Sequence, residues 1–96
     1  MKLNDLLQKK RNKILSFAKQ HGVIRVRIFG SVARGDANEK SDIDFLIKLD
    51  QNRSLLDLIG FKQDLEELFG RRIDVVSEGG VSPHLRDRIF QEAIPL

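Results

Sequence analysis

Between Gly30 and Asp44 the chain reads Gly-Ser-Val-Ala-Arg-Gly-Asp-Ala-Asn-Glu-Lys-Ser-Asp-Ile-Asp, a turn of small residues and then two carboxylates one residue apart at the head of an apolar run. This stretch limits the fold more than any other. A glycine and a serine end one hydrophobic segment, Val23 to Phe29, and Asp42 and Asp44 open the next, so the two segments are expected as neighbouring antiparallel strands. Successive strand side chains alternate faces, which points Asp42 and Asp44 the same way with Cα atoms roughly 7 Å apart. Two like charges so placed repel unless cations stand between them.

The flanking segments supply the rest of a small α/β unit. Asn4 is expected to cap a helix over about residues 5 to 21, with Leu7, Ile14, Leu15, Phe17 and Ala18 at helical spacing and Gly22 as terminator. Strand one, residues 23 to 29, alternates Ile24, Val26 and Ile28 with Arg25 and Arg27. A short helical turn is expected around Val32 to Arg34, then a polar loop from Gly35 to Lys40. Strand two, residues 42 to 49, places Ile43, Phe45, Ile47 and Leu49 on one face and Asp42, Asp44, Leu46 and Lys48 on the other. Ser54 and Asp57 form a capping-box pattern that opens a helix to about Phe69, closed by Gly70. Leu55, Leu58, Ile59, Phe61, Leu65, Leu68 and Phe69 form its apolar stripe. Strand three follows at 72 to 77, Gly79 and Gly80 form a loop, and Pro83 starts a last helix through Ala93. The expected fold class is α/β (α+β): a small three-stranded mixed sheet with helices packed on it. A helical crossover makes strands two and three parallel, which brings Asp74 beside Asp42 and Asp44.

Ninety-six residues are enough for one domain and one core, so a single domain over 1–96 is expected. No apolar run approaches a membrane span and no signal-like stretch opens the chain, so a cytoplasmic location is expected. With no cysteine and only His21 and His84, neither with a visible partner, any metal must be held by carboxylates. The first third is basic: Lys2, Lys9, Lys10, Arg11, Lys13, Lys19, Arg25 and Arg27 precede Gly30 against Asp5 alone. No aromatic residues interleave with these cations to stack bases, so a solvated helix face is expected rather than direct nucleic-acid binding.

The chemistry of this arrangement is that of charge on phosphorus. Two Mg2+ ions roughly 4 Å apart satisfy such a carboxylate cluster and clamp an in-line displacement. Asp74 completes one metal site and can also accept the proton of an incoming hydroxyl. Gly30 lets backbone approach a phosphate closely, Ser31 adds a hydroxyl donor, and Arg34 is placed to reach a phosphate as well. Each piece alone is common in proteins with no such role. Their conjunction, in this order and on these elements, is specific.

Gly30-Ser31, Asp42-Ile43-Asp44 and Asp74 on the third strand together resemble the DNA polymerase β nucleotidyltransferase superfamily, over nearly the whole chain. Within it, the short length and the run Gly-Ser-Val-Ala-Arg-Gly-Asp resemble the minimal nucleotidyltransferases, the MNT antitoxins encoded beside HEPN ribonuclease toxins. The resemblance implies a polymerase-β-like nucleotidyltransferase fold and a protein adenylyltransferase that moves AMP from ATP to a tyrosine of the HEPN toxin. It implies Asp42, Asp44 and Asp74 as catalytic residues and ligands of two Mg2+ ions, and Gly30 and Ser31 as the triphosphate cradle. So short a chain has no room for its own acceptor-binding domain, so a protein partner or self-association, as a homo- or hetero-oligomer, is expected. Two alternatives use the same sequence: a non-catalytic antitoxin that masks its partner, and a nucleotidyltransferase acting on a small molecule of the aminoglycoside type. The closing apolar residues Ile89 and Phe90 are expected in the core, and the tail Ile94-Pro95-Leu96 as either interface or core.

Overall fold

A computed structural model describes residues 3–38 and 40–96; Glu39, in the expected polar loop, and Lys2, in the basic stretch, lie outside them. The elements in order are α1 (Leu3–Lys9), α2 (Arg11–Gln20), β1 (Val23–Phe29), α3 (Gly30–Arg34), β2 (Ile43–Leu49), α4 (Leu55–Phe69), β3 (Ile73–Ser77), a 3-10 turn (Glu78–Gly80), α5 (Pro83–Glu92) and β4 (Ile94–Pro95). The sheet has the order β3-β2-β1-β4, with β1 antiparallel to β2 and to β4, and β2 parallel to β3. The mixed α/β class and the three central strands match expectation. The fourth strand does not, because Ile94 and Pro95 reach back to pair with Ile28 and Arg27 of β1.

The main core lies between one face of this sheet and helices α1, α2 and α4. Leu7, Ile14, Ile43, Phe45, Ile47, Phe61, Leu65 and Ile73 are each almost fully removed from water there. That clustering is what the alternating pattern of β2 demands. The single helix expected over 5–21 is two helices joined at Lys10, with Asn4 inside the first rather than capping it. The amide ladder runs through the joint, from Lys10 N to Leu6 O and from Ile14 N to Lys10 O, both at 3.0 Å. A straight helix drifts about 20° per seven residues, and the joint keeps Leu7 and Ile14 on one side, both buried.

Further differences come from the second face of the sheet. Leu46, expected on an outward face with Lys48, is fully buried. Its cross-strand partner is Arg27, whose guanidinium lies over the Phe90 ring of α5 at 5.0 Å, so the last helix roofs this face. Phe90 and Ile89 are consequently half-buried on that roof and do not belong to the main core as expected. In β1 the expected alternation fails at a bulge between Val23 and Arg25, which buries Val23 and leaves Ile24 60% exposed. On α4 only Phe61 and Leu65 are fully buried; Leu55 and Ile59, expected in the stripe, face water at 69% and 41% exposure. No helix among the described residues is long and apolar enough to cross a membrane.

Candidate active site

The site forms where β1 ends and β2 and β3 begin. Parallel pairing sets Asp44 beside Asp74, and antiparallel pairing sets Phe29, the last residue of β1, opposite Asp44. Neighbours across a register share a face, so the Asp44 and Asp74 side chains stand within hydrogen-bonding reach of each other. Asp42 lies just ahead of β2, two residues before Asp44 and on the same side. Its Oδ2 is 4.0 Å from Nε of Arg72, which stands two residues before Asp74 on the neighbouring strand.

Three influences push the Asp44 carboxyl up to about 6. Partial burial is the largest, followed by the charge and hydrogen bond of Asp74 and then the charge of Asp42, with Arg34 opposing them.

Gly30 explains how the turn reaches this pair. Its φ is +73°, a left-handed conformation that side chains disfavour, and a Cβ placed on it would sit 2.1 Å from Asp44 Oδ2. Only glycine brings the backbone of the turn against the carboxylate. Gly30 and Ser31 start the short helix α3, and the backbone amide of Gly30 donates to the Glu92 carboxylate of α5. The helix closes on Gly35 in a left-handed cap, where the amide of Asp36 donates to Ser31 O at 3.0 Å.

Arg34, expected at a phosphate, is held by two carboxylates: Nε donates to Asp36 at 3.3 Å and Nη1 to Glu92 at 2.5 Å. It remains 42% exposed. The Glu92 hydrogen bond foremost, then that of Asp36, holds the guanidinium still more firmly protonated, and Arg34 in turn draws the Glu92 carboxyl below its ordinary range. Glu92 is the residue at this site that the sequence concealed, since only the docking of α5 brings it to the turn. Arg72 had a signal: once Asp44 is matched with Asp74 in parallel, Asp42 falls beside position 72.

Among the described residues no three histidine, aspartate or glutamate side chains already converge as a cation cage. The donor chemistry nevertheless fits a hard divalent ion. The side chains of Asp44 and Asp74 are within hydrogen-bonding reach, a bound cation would relieve the repulsion between their charges, and Asp42 stands two residues before Asp44 on the same side.

Comparison with known proteins is in accord with this geometry. Residues 9–96 match the nucleotidyltransferase domain family. A chain of Methanocaldococcus jannaschii provisionally named a protein adenylyltransferase is 42% identical over 94 residues, covering 98% of this chain and 97% of its own. A solved structure described provisionally as a minimal nucleotidyltransferase superposes with a TM-score of 0.85 at 49% identity, covering 96% of this chain and 94% of that one. A toxin–antitoxin structure with AMP-PNP shares the fold at a TM-score of 0.74 and 20% identity, covering 88% of this chain and 69% of that one. A glycine turn pressed on paired strand carboxylates, in a chain matched from end to end, places this protein among the minimal members of the nucleotidyltransferase domain family.

Proposed function

We propose that this enzyme is a cytoplasmic, Mg2+-dependent protein adenylyltransferase that acts as an antitoxin, moving AMP from ATP to a tyrosine hydroxyl of a HEPN-type ribonuclease toxin. The observation that carries the reading is the Asp44–Asp74 pair on adjacent parallel strands with Gly30 pressed against Asp44. It is supported by the relative named for protein adenylylation and by the fold shared with a toxin–antitoxin structure.

In this reading the Gly30-Ser31 turn, with the Ser31 hydroxyl as donor, holds the triphosphate of ATP, and Arg34 adds a positive charge beside it. Two Mg2+ ions held by Asp42, Asp44 and Asp74 would supply the positive charge that offsets negative charge on the transferring phosphoryl group and the leaving pyrophosphate. Asp74 takes the proton from the acceptor hydroxyl. The tyrosine oxygen then bonds to the α-phosphorus as the bond from that phosphorus to the bridging oxygen breaks, and pyrophosphate leaves. Positioning and electrostatics account for most of the acceleration in transfers of this kind.

Incubating the chain with a co-expressed HEPN partner and ATP labelled at the α-phosphate tests the reading. Label should pass to the partner in the presence of Mg2+, and Asp42→Ala or Asp44→Ala should each abolish it, a fall of at least a hundredfold, about 3 kcal/mol of transition-state stabilisation. Transfer that survives both substitutions overturns the enzyme reading. A doubly substituted chain that still neutralises the toxin fully points instead to masking by binding.

A further inference from the structure

We propose that the open edge of β1, from Val23 to Val26, receives an extended segment of a partner protein as an added antiparallel strand, one in which apolar and acidic residues alternate. The proposal concerns a surface away from the carboxylates and does not depend on the transfer reaction.

The edge is already used in this way by the chain itself. β4 pairs antiparallel with β1, but only at Arg27 and Ile28, and the last bond on that side runs from Leu96 N to Val26 O at 3.4 Å. Among the described residues no strand continues the sheet alongside Val23, Ile24 and Arg25. A strand entering there would lie in line with β4 and pair along a stretch of β1 that, among the described residues, no strand pairs on that side.

The groove beside this edge has a volume of about 320 Å³ and the chemistry of a strand site. Leu15 and Ala18 of α2 form an apolar wall on the core side, with Ile24 at the strand. Alternate residues of an added strand would meet that wall, which calls for apolar side chains at every second position. Lys19 and Arg25 line the groove, while Asp50 and Arg53 line it from beyond the end of the paired strand β2, so the cations next to an added strand call for acids at the others.

Arg25 and Arg53 already have carboxylate neighbours, and the geometry leaves Arg25 able to change partner. Glu78 is bound by Arg27 at 2.9 Å as well as by Arg25 at 3.2 Å. Arg27 is the deeper of the two, 18% exposed against 53% for Arg25, so Arg25 can turn to an incoming carboxylate while Glu78 stays paired. Arg53 holds Asp57 at 3.2 Å on the surface of α4.

Bulges and cations also occur on edges built to refuse pairing. The bulge here does the reverse of what refusal requires, because it turns an isoleucine, 60% exposed, to the water-facing side. That side chain is then available as an apolar contact for a strand laid along the edge.

The test uses the full chain and a library of twelve-residue peptides displayed on phage. Selection should enrich sequences alternating Asp or Glu with Val, Ile or Leu. A synthetic peptide of the leading sequence should shift the backbone amide resonances of Val23 to Val26 and slow their hydrogen exchange. It should bind at least tenfold more weakly to Ile24→Lys and to Lys19→Glu, two variants whose folding is checked by their amide spectra. Failure to enrich peptides, enrichment without acids, shifts confined to other parts of the chain, or unchanged affinity for both variants would overturn the proposal. So would an octauridylate that shifts the same amides as strongly, since the edge would then be a general anion surface.

Discussion

Gly30 and Asp44 show how much of the site rests on single atoms. The absent Cβ of Gly30 lets the turn reach Asp44, and partial burial foremost, then the neighbouring Asp74, pushes the Asp44 carboxyl up to about 6, above its value in an unfolded chain. Between those two values the folded protein binds more protons than the unfolded one, so this residue's contribution makes stability fall as pH rises through the window from about 4 to 6. Asp44→Asn removes the repelling charge. Without divalent ions and at pH 7 it should stabilise the protein by on the order of 1 kcal/mol, a figure reduced for the partial exposure of the group, and at pH 4 it should change little. Urea unfolding in EDTA at the two pH values checks this; equal effects at both would mean that the carboxylate repulsion is negligible. A site residue whose neutralisation stabilises the fold is one the fold keeps for another reason.

At the scale of the element, α4 separates what neighbouring residues specify from what packing specifies. Its start is local: Ser54 Oγ accepts from Leu56 N at 3.3 Å and Asp57 Oδ2 from Ser54 N at 3.0 Å, the reciprocal pattern legible in the sequence. Gly60 inside the helix was not explicable from the sequence, and His21 showed no partner there. In the structure His21 Nε2 lies 2.6 Å from Asp64 Oδ2, and a Cβ on Gly60 would stand 2.7 Å from the imidazole Cε1. Alanine at a helical glycine ordinarily gains about 1 kcal/mol. Here Gly60→Ala should lower the melting temperature in the unaltered chain and raise it in a His21→Ala background. Thermal unfolding of the four proteins of this cycle measures the sign change, and the same sign in both backgrounds would remove the steric account.

Across the whole molecule, one core carries the site. Phe45 sits on β2 one residue beyond Asp44, fully buried, with its ring edge-on to Phe61 of α4 at a centroid distance of 6.5 Å. Removing that ring leaves a void under the strand that holds the carboxylates. Phe45→Ala should cost about 3–5 kcal/mol, a large share of the 5–15 kcal/mol typical of a domain's total stability. Urea unfolding should show the loss, with amide exchange faster along both β2 and β3; a loss under about 1 kcal/mol would mean that the strand is held by something other than this contact.

By itself the sequence specified the order of the central elements, the antiparallel and parallel pairings, the capping box of α4 and the convergence of Asp44 with Asp74. Each of these follows from signals carried within a few residues, namely side-chain period, a glycine at a turn and the handedness of a helical crossover. Only the tertiary structure decided that Phe90 of α5 lies against Arg27 on the second face, that Leu46 is buried, that Glu92 holds Arg34, that β4 joins the sheet and that the β1 bulge turns Ile24 outward. Those features depend on contacts between segments far apart in the chain. Whether a half-apolar helix or a two-residue strand docks is settled by the surface it meets, and no local pattern records that surface.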